Sequence, residues 1–123
     1  MLRSFLNVVC NNLRSALENT HVELFLRDIS QYKYLGSNPS LVVNLASCEL
    51  EAPIHASFTS QKGSIKVDFY YFTRTNEPDG EALFEVFEAV RAIPSVCVGR
   101  IRRHFHKKNV CVWVVETSFI RVI

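Results

Sequence analysis

The stretch Ser64–Thr73 constrains this chain most. Ile65, Val67, Phe69 and Tyr71 alternate with Lys66, Asp68, Tyr70 and Phe72. In an extended strand successive side chains point to opposite faces, so the first set is an unbroken apolar face that must be buried. The second set is only half polar, because Tyr70 and Phe72 also need cover. The sequence therefore predicts a sheet with one fully buried face and apolar groups on part of the other.

The segments around this strand supply what covers it. Leu2, Phe5, Leu6, Val9, Cys10, Leu13, Ala16 and Leu17 recur at helical spacing, which predicts an amphipathic helix ending near Asn19 and Thr20. A second stripe, Ala82, Leu83, Val86, Phe87, Val90 and Ile93, follows a helix-start signal over Thr75–Gly80, with Asn76 as cap and Glu77, Asp79 and Glu81 at the positive end of the dipole. Pro94 stops it. Val22–Leu26 reads as a short strand, Arg27–Pro39 as a connection that Tyr32 and Tyr34 anchor to the body, and Ser40–Ala46 as a buried strand. A less regular stretch through Cys48, Leu50, Pro53 and Ile54 follows, and Gly63 suits a turn from Ser57–Ser60.

The end of the chain reads as a hairpin, Val96–Phe105 against Val110–Ile123, with Lys107 and Lys108 at the turn. The expected register sets His104 opposite Cys111, Arg102 opposite Trp113 and Ile101 opposite Val114. Val110, Val112 and Val114 then share the core face, while Arg100, Arg102, His104, Cys111 and Trp113 share the other. Arg102 would stack on Trp113 as a cation–π pair. The second arm is long, and a bend is expected near Glu116–Ser118. With 123 residues, the expectation is a single α+β domain spanning 1–123. It has a largely antiparallel (mixed) β-sheet with two α-helices packed on one face.

Composition narrows the function. Net charge is +2, from 14 basic and 12 acidic residues, too balanced for nucleic-acid binding driven by overall charge. No apolar run approaches the length of a membrane span, and Met1–Leu17 lacks the unbroken apolar core of a secretion signal. The cysteines Cys10, Cys48, Cys97 and Cys111 lie in apolar runs without a CxxC pair. They read as reduced core residues of a protein folded in a cytosol.

Chemistry is sparse. There is no Gly-rich phosphate loop, no GxSxG elbow and no HExxH pair. His104, His106 and Cys111 are the best metal-ligand candidates, but no fourth ligand accompanies them. Cys97 or Cys111 could serve as a nucleophile, although core thiols are the commoner case. His21 and His55 stand alone. Glu81, Glu85 and Glu88 line one side of the second helix, most simply as a solvated face. No catalytic residue, cofactor or metal is expected, so the chain reads as a non-enzyme.

Two groups remain as interface candidates. Tyr70, Phe72, Trp113, Val115 and Phe119 are apolar side chains beyond the core set, and two helices cover only one face of a sheet. An uncovered apolar sheet face marks a partner surface. Arg100, Arg102, Arg103, Lys107 and Lys108, interleaved with His104, Phe105 and His106, form the densest basic run. It reads as a basic strand face or as a nucleic-acid-binding module over 100–108.

Several stretches resemble the tail terminator family of Mu-like phages and prophages, a design shared with the lambda tail terminator. They are Asp28–Tyr32, Pro39–Leu45 with Cys48–Pro53 after it, Lys66–Arg74, and Gly80–Arg91. The matching region runs from about Arg27 to Ile93, and the motifs are structural. The resemblance implies an α+β subunit of a hexameric ring that ends tail-tube polymerisation. Its partners are further copies of itself, the tail-tube protein and the head-connector protein, with DNA passing through the lumen unread. It also implies assembly in the cytoplasm, a place in the virion tail, no membrane, and a basic run facing the lumen or a partner. A small dimeric chaperone or adaptor is the other assembly reading.

Overall fold

Alternation in the central strand sets the architecture. In the computed structural model, which describes residues 2–34, 36, 38–50, 62–74, 80–104 and 110–122, eight elements follow one another. They are α1 (Leu2–Ala16), β1 (His21–Leu24), a short 3-10 helix (Ile29–Gln31), β2 (Ser40–Leu50), β3 (Lys62–Thr73), α2 (Gly80–Arg91), β4 (Val96–Arg103) and β5 (Cys111–Val122). The strands form one sheet in the order β1-β2-β3-β5-β4. β1 pairs with β2 in parallel, and every other pairing is antiparallel. The expected mixed α+β fold is present.

Both helices cover the same side of the sheet. Leu6, Val9, Cys10 and Leu13 of α1 and Val86 and Val90 of α2 pack on Leu41, Val43, Ile65, Val67, Phe69, Tyr71, Val115 and Phe119. Burying each large apolar side chain here contributes about 1.5–3 kcal/mol. The helix spacing that placed these residues on one stripe also leaves Arg14 at the margin of α1. Its Nε and Nη2 donate to the Val22 carbonyl at 3.1 and 3.0 Å, which ties the helix to the strand after it. α2 stops before Pro94, and Ser95 turns the chain with φ +65°. The proposed helix start over Thr75–Asp79 lies outside the described residues, as do Pro53, Ile54, Ser57–Ser60 and Phe105–Asn109.

The far face is covered as well. Val42, Tyr70, Phe72, Val112 and Val114 form a second buried cluster, roofed by Phe25, Ile29, Tyr32, Tyr34 and Val110. Apart from Val110, which precedes β5, the roof is the connection between the parallel strands β1 and β2. Asn44 holds it down: its Nδ2 donates to the carbonyls of Phe25 and Arg27 at 2.8 and 2.9 Å.

Two bulges set the registers. Leu45 faces Val67 while Ser47 faces Lys66, so Ala46 is extra in β2. Val98 faces Thr117 while Arg100 faces Glu116, so Gly99 is extra in β4. Gly99 marks the bulge, as a glycine within a strand often does. The hairpin pairs expected from sequence all lie beyond this bulge and are therefore displaced by one residue. Beyond it Arg102 faces Val114, Ile101 faces Val115 and Arg103 faces Trp113. No bend breaks β5 at Glu116–Ser118; the irregularity lies opposite, in β4.

The cysteines also divide. Cys10 and Cys111 are buried, but Cys48 and Cys97 are exposed. Cys97 alternates with Val96 and Val98, which pack on the core, and so points away from it on an edge strand. Cys48 lies beyond the β2 bulge, past Asn44, the last buried residue among the described side chains of that strand.

Candidate functional site

The far face holds the concentration of chemistry. The Tyr32 ring packs edge-on against Phe25 at 5.3 Å and tilted against Phe72 at 5.0 Å, and Tyr34 lies 5.7 Å from Phe72. Tyr34 Oη donates to the Asn38 carbonyl at 2.8 Å. Asp28 starts the short helix, its Oδ1 accepting from Ser30 N–H at 3.0 Å, which holds its carboxyl below the ordinary range. Burial pushes the Tyr32 phenol far above its usual range, and a hydrogen bond to Glu23 adds to this. Between this roof and the strands lies an open cleft of about 540 Å³, lined by Ser30, Lys33, Tyr34, Tyr70, Phe72, His104 and Val112 among others.

An ionic network borders the cleft. Glu116 Oε2 accepts from Arg102 Nε at 2.9 Å and from Arg100 Nε at 3.1 Å. Arg102 Nη1 lies 3.1 Å from His104 Nδ1. A guanidinium only donates, so Nδ1 accepts and the ring proton sits on Nε2. Burial, and then Arg102, push the His104 pKa down, which favours this neutral form. The His104 ring meets Tyr70 edge-on at 5.5 Å.

Asp68 stands directly across from Glu116. The two carboxyls are driven apart. Hydrogen bonding to Arg102 lowers the Glu116 pKa, whereas burial, and then the Glu116 charge, raise that of Asp68. Such splitting also marks acid–base pairs. Here the two guanidiniums on Glu116 account for it as a cross-strand ion network. Like charges opposite one another destabilise a sheet, and a raised carboxyl favours the fold less once ionised. Asp68→Asn is therefore expected to raise stability at pH 7 by about 0.2–1 kcal/mol. The gain should disappear as pH falls below the ordinary aspartate value of about 3.9. Urea unfolding at both pH values measures it, and a loss of stability at pH 7 would show that Asp68 is a needed partner of Arg102.

The interface residues expected from sequence do not form one surface. Tyr70 and Phe72 lie on the far face under Tyr32 and Tyr34. Val115 and Phe119 are 1% exposed on the helix side, where Phe119 meets Phe5 at 5.1 Å. Trp113 also faces the helices, 6.4 Å from Phe87. Helices cover Trp113, Val115 and Phe119, and the β1–β2 connection lies over Tyr70 and Phe72, which still line an open cleft. Trp113 Nε1 and Thr73 Oγ1 are buried with no hydrogen-bond partner among the described residues, and no sequence signal pointed to them.

The basic run divides too. Arg100 and Arg102 are bound to Glu116 on the far face, and Arg103 opposes Trp113 on the helix side. The expected Arg102–Trp113 stack does not form, because the Gly99 bulge puts the two on opposite faces. The same shift separates His104 from Cys111, which alternates with Val112 of the far cluster. Among the described residues no group of three or more His, Cys, Asp or Glu is placed to hold a metal. His106, Lys107 and Lys108 lie outside them. No described helix is long and apolar enough to cross a membrane.

A second opening of about 350 Å³ lies where α1 meets the ends of α2 and β5, between Phe5, Val8, Ile93, Phe119 and Ile120. Val8 is 56% and Ile120 69% exposed there. No protein-family model matches the chain, and no curated protein matches it significantly.

Proposed function

We propose that this chain is a structural subunit of the tail-terminator type. Copies join head to tail into a closed ring that caps a tail tube and meets the head connector, and DNA passes through the lumen unread. One observation carries the reading. Two apolar openings, the aromatic cleft and the Val8–Ile120 groove, lie at separate places on a domain whose sheet is packed on both faces. Unlike surfaces suit a heterologous contact, which closes into a ring when its rotation allows. The stretches that resemble the tail terminator family, from Asp28–Tyr32 to Gly80–Arg91, also support the reading. The nucleic-acid-binding alternative is weakened because Glu116 already engages Arg100 and Arg102.

Light scattering across protein and salt concentration tests the reading. The expected result is a mass near about six copies, or a concentration-driven shift towards it. A clean dimer would favour the chaperone or adaptor reading. A monomer throughout, with steeply salt-dependent DNA binding, would favour the basic-run reading.

A further inference from the structure

His104 stands just past the end of β4 and meets two unlike partners. Its Nδ1 lies 3.1 Å from Arg102 Nη1, and its ring meets the Tyr70 ring edge-on at 5.5 Å. Its backbone N–H donates to the Val112 carbonyl at 2.8 Å, so the chain is fixed at the root of this side chain. His104 is half-buried, and Tyr70 is 6% exposed. Arg102 is held in turn by Glu116, to which its Nε donates at 2.9 Å.

The contact with Arg102 exists in one protonation state only. A guanidinium has no acceptor, so Nδ1 must offer its lone pair. An imidazolium has no lone pair to offer, and it would set two cations 3.1 Å apart. The groups around the ring do not relieve that repulsion. Burial keeps the Tyr70 phenol of β3 above its ordinary range and so uncharged. Lys33 of the β1–β2 connection lines the same cleft and is a further cation. Glu116 of β5 is engaged by Arg100 and Arg102, with Asp68 of β3 across from it. Among the described residues no carboxylate forms an ion pair with the ring. We propose that His104 is an acid-sensitive cover: neutral, it is held against Tyr70 by Arg102, and protonated, it turns about its own side-chain bonds away from both. The backbone keeps its place, while this border of the far face changes from a neutral aromatic contact to a cationic one. The device needs no second copy, so it stands or falls apart from the ring reading.

The neutral ring belongs to the folded state. Its contribution to stability is therefore fully present above the ordinary histidine value of about 6.5, and it is lost as pH falls through the lower folded value. Proton NMR titration of the imidazoles tests this. The chain has four histidines, and the signal missing from His104→Gln identifies His104. Glutamine still accepts from Arg102 but does not titrate. The expected results are a His104 midpoint below about 6.5, Tyr70 ring signals that move with the same midpoint, and a midpoint shifted back up in Arg102→Met. In urea unfolding from about pH 8 to about pH 5, the natural chain should lose stability that His104→Gln keeps. Circular dichroism checks both variants, and the natural chain's own titration decides the matter if either misfolds. A midpoint at or above the ordinary value, or Tyr70 signals that ignore it, overturns the cover. An equal loss of stability in the natural chain and a folded His104→Gln overturns it too.

Discussion

Phe69→Ala is expected to cost about 3–5 kcal/mol of folding stability, the range for truncating a buried aromatic. Phe69 is 0% exposed in the central strand, beside Val43 on β2 and Val115 on β5, both buried. Both helices belong to the same cluster, so a cavity at this position cannot close without moving several elements together. A domain of this size has a total stability of about 5–15 kcal/mol, and the variant should sit near or below the edge of folding. Urea unfolding should show a large drop in midpoint with little change in slope. Phe84→Ala is the control: its side chain is 62% exposed, and the change should stay within about 0.5 kcal/mol. Comparable costs at the two positions would overturn the assignment of Phe69 to the centre of the core.

The contrast between those phenylalanines shows what the sequence could reveal. Phe69 falls on the strict alternation of β3 and Phe84 falls off the apolar stripe of α2, so local periodicity alone separates them. The same logic located both helices and put Tyr70 and Phe72 on the far face. Periodicity does not reveal what lies over a face. Tyr32 and Tyr34 were legible as anchors of the β1–β2 connection. That they roof Phe72 depends on Asn44 binding two carbonyls about 17 and 19 residues back in the chain, and no local pattern records such a contact.

Register was the other limit. A single extra residue at Gly99 turns Arg102 towards Glu116 and leaves Arg103 opposite Trp113. The expected partners of Ile101 and Arg102 were off by one residue, because a bulge changes pairing without changing composition. The basic run, read as one face, is two, because Arg102 and Arg103 are neighbours in a strand and point to opposite sides. The cleft was missed for a related reason: its lining comes from the connection, β3, β5 and the end of β4, which only the register brings together.

Asn44→Asp should destabilise the fold by about 3–5 kcal/mol at pH 7, although it changes only one amide to a carboxyl. Asn44 is 8% exposed, and its Nδ2 donates to the carbonyl oxygens of Phe25 and Arg27. Two oxygen partners fix the amide orientation, since only the NH₂ group can satisfy them. A carboxylate there would turn negative charge towards two acceptors in a partly buried site, leaving all three groups without a donor. Protonation restores one O–H donor and removes the charge. The native state therefore holds this carboxyl's pKa above the unfolded value, and the deficit is fully present at neutral pH. It shrinks as pH falls through the raised value and reaches its minimum below the unfolded value of about 3.9. Asn44→Ala supplies the comparison: it loses both hydrogen bonds without adding charge, so its cost of about 1–3 kcal/mol should not depend on pH. Urea unfolding of the two variants from pH 7 to pH 4, each referenced to the natural chain, separates the cases. A parallel, pH-flat deficit in both would mean that the Asn44 amide does not hold the connection. A deficit that narrows only in the aspartate variant would identify this one donor group as the tie that keeps the roof of the cleft on the sheet.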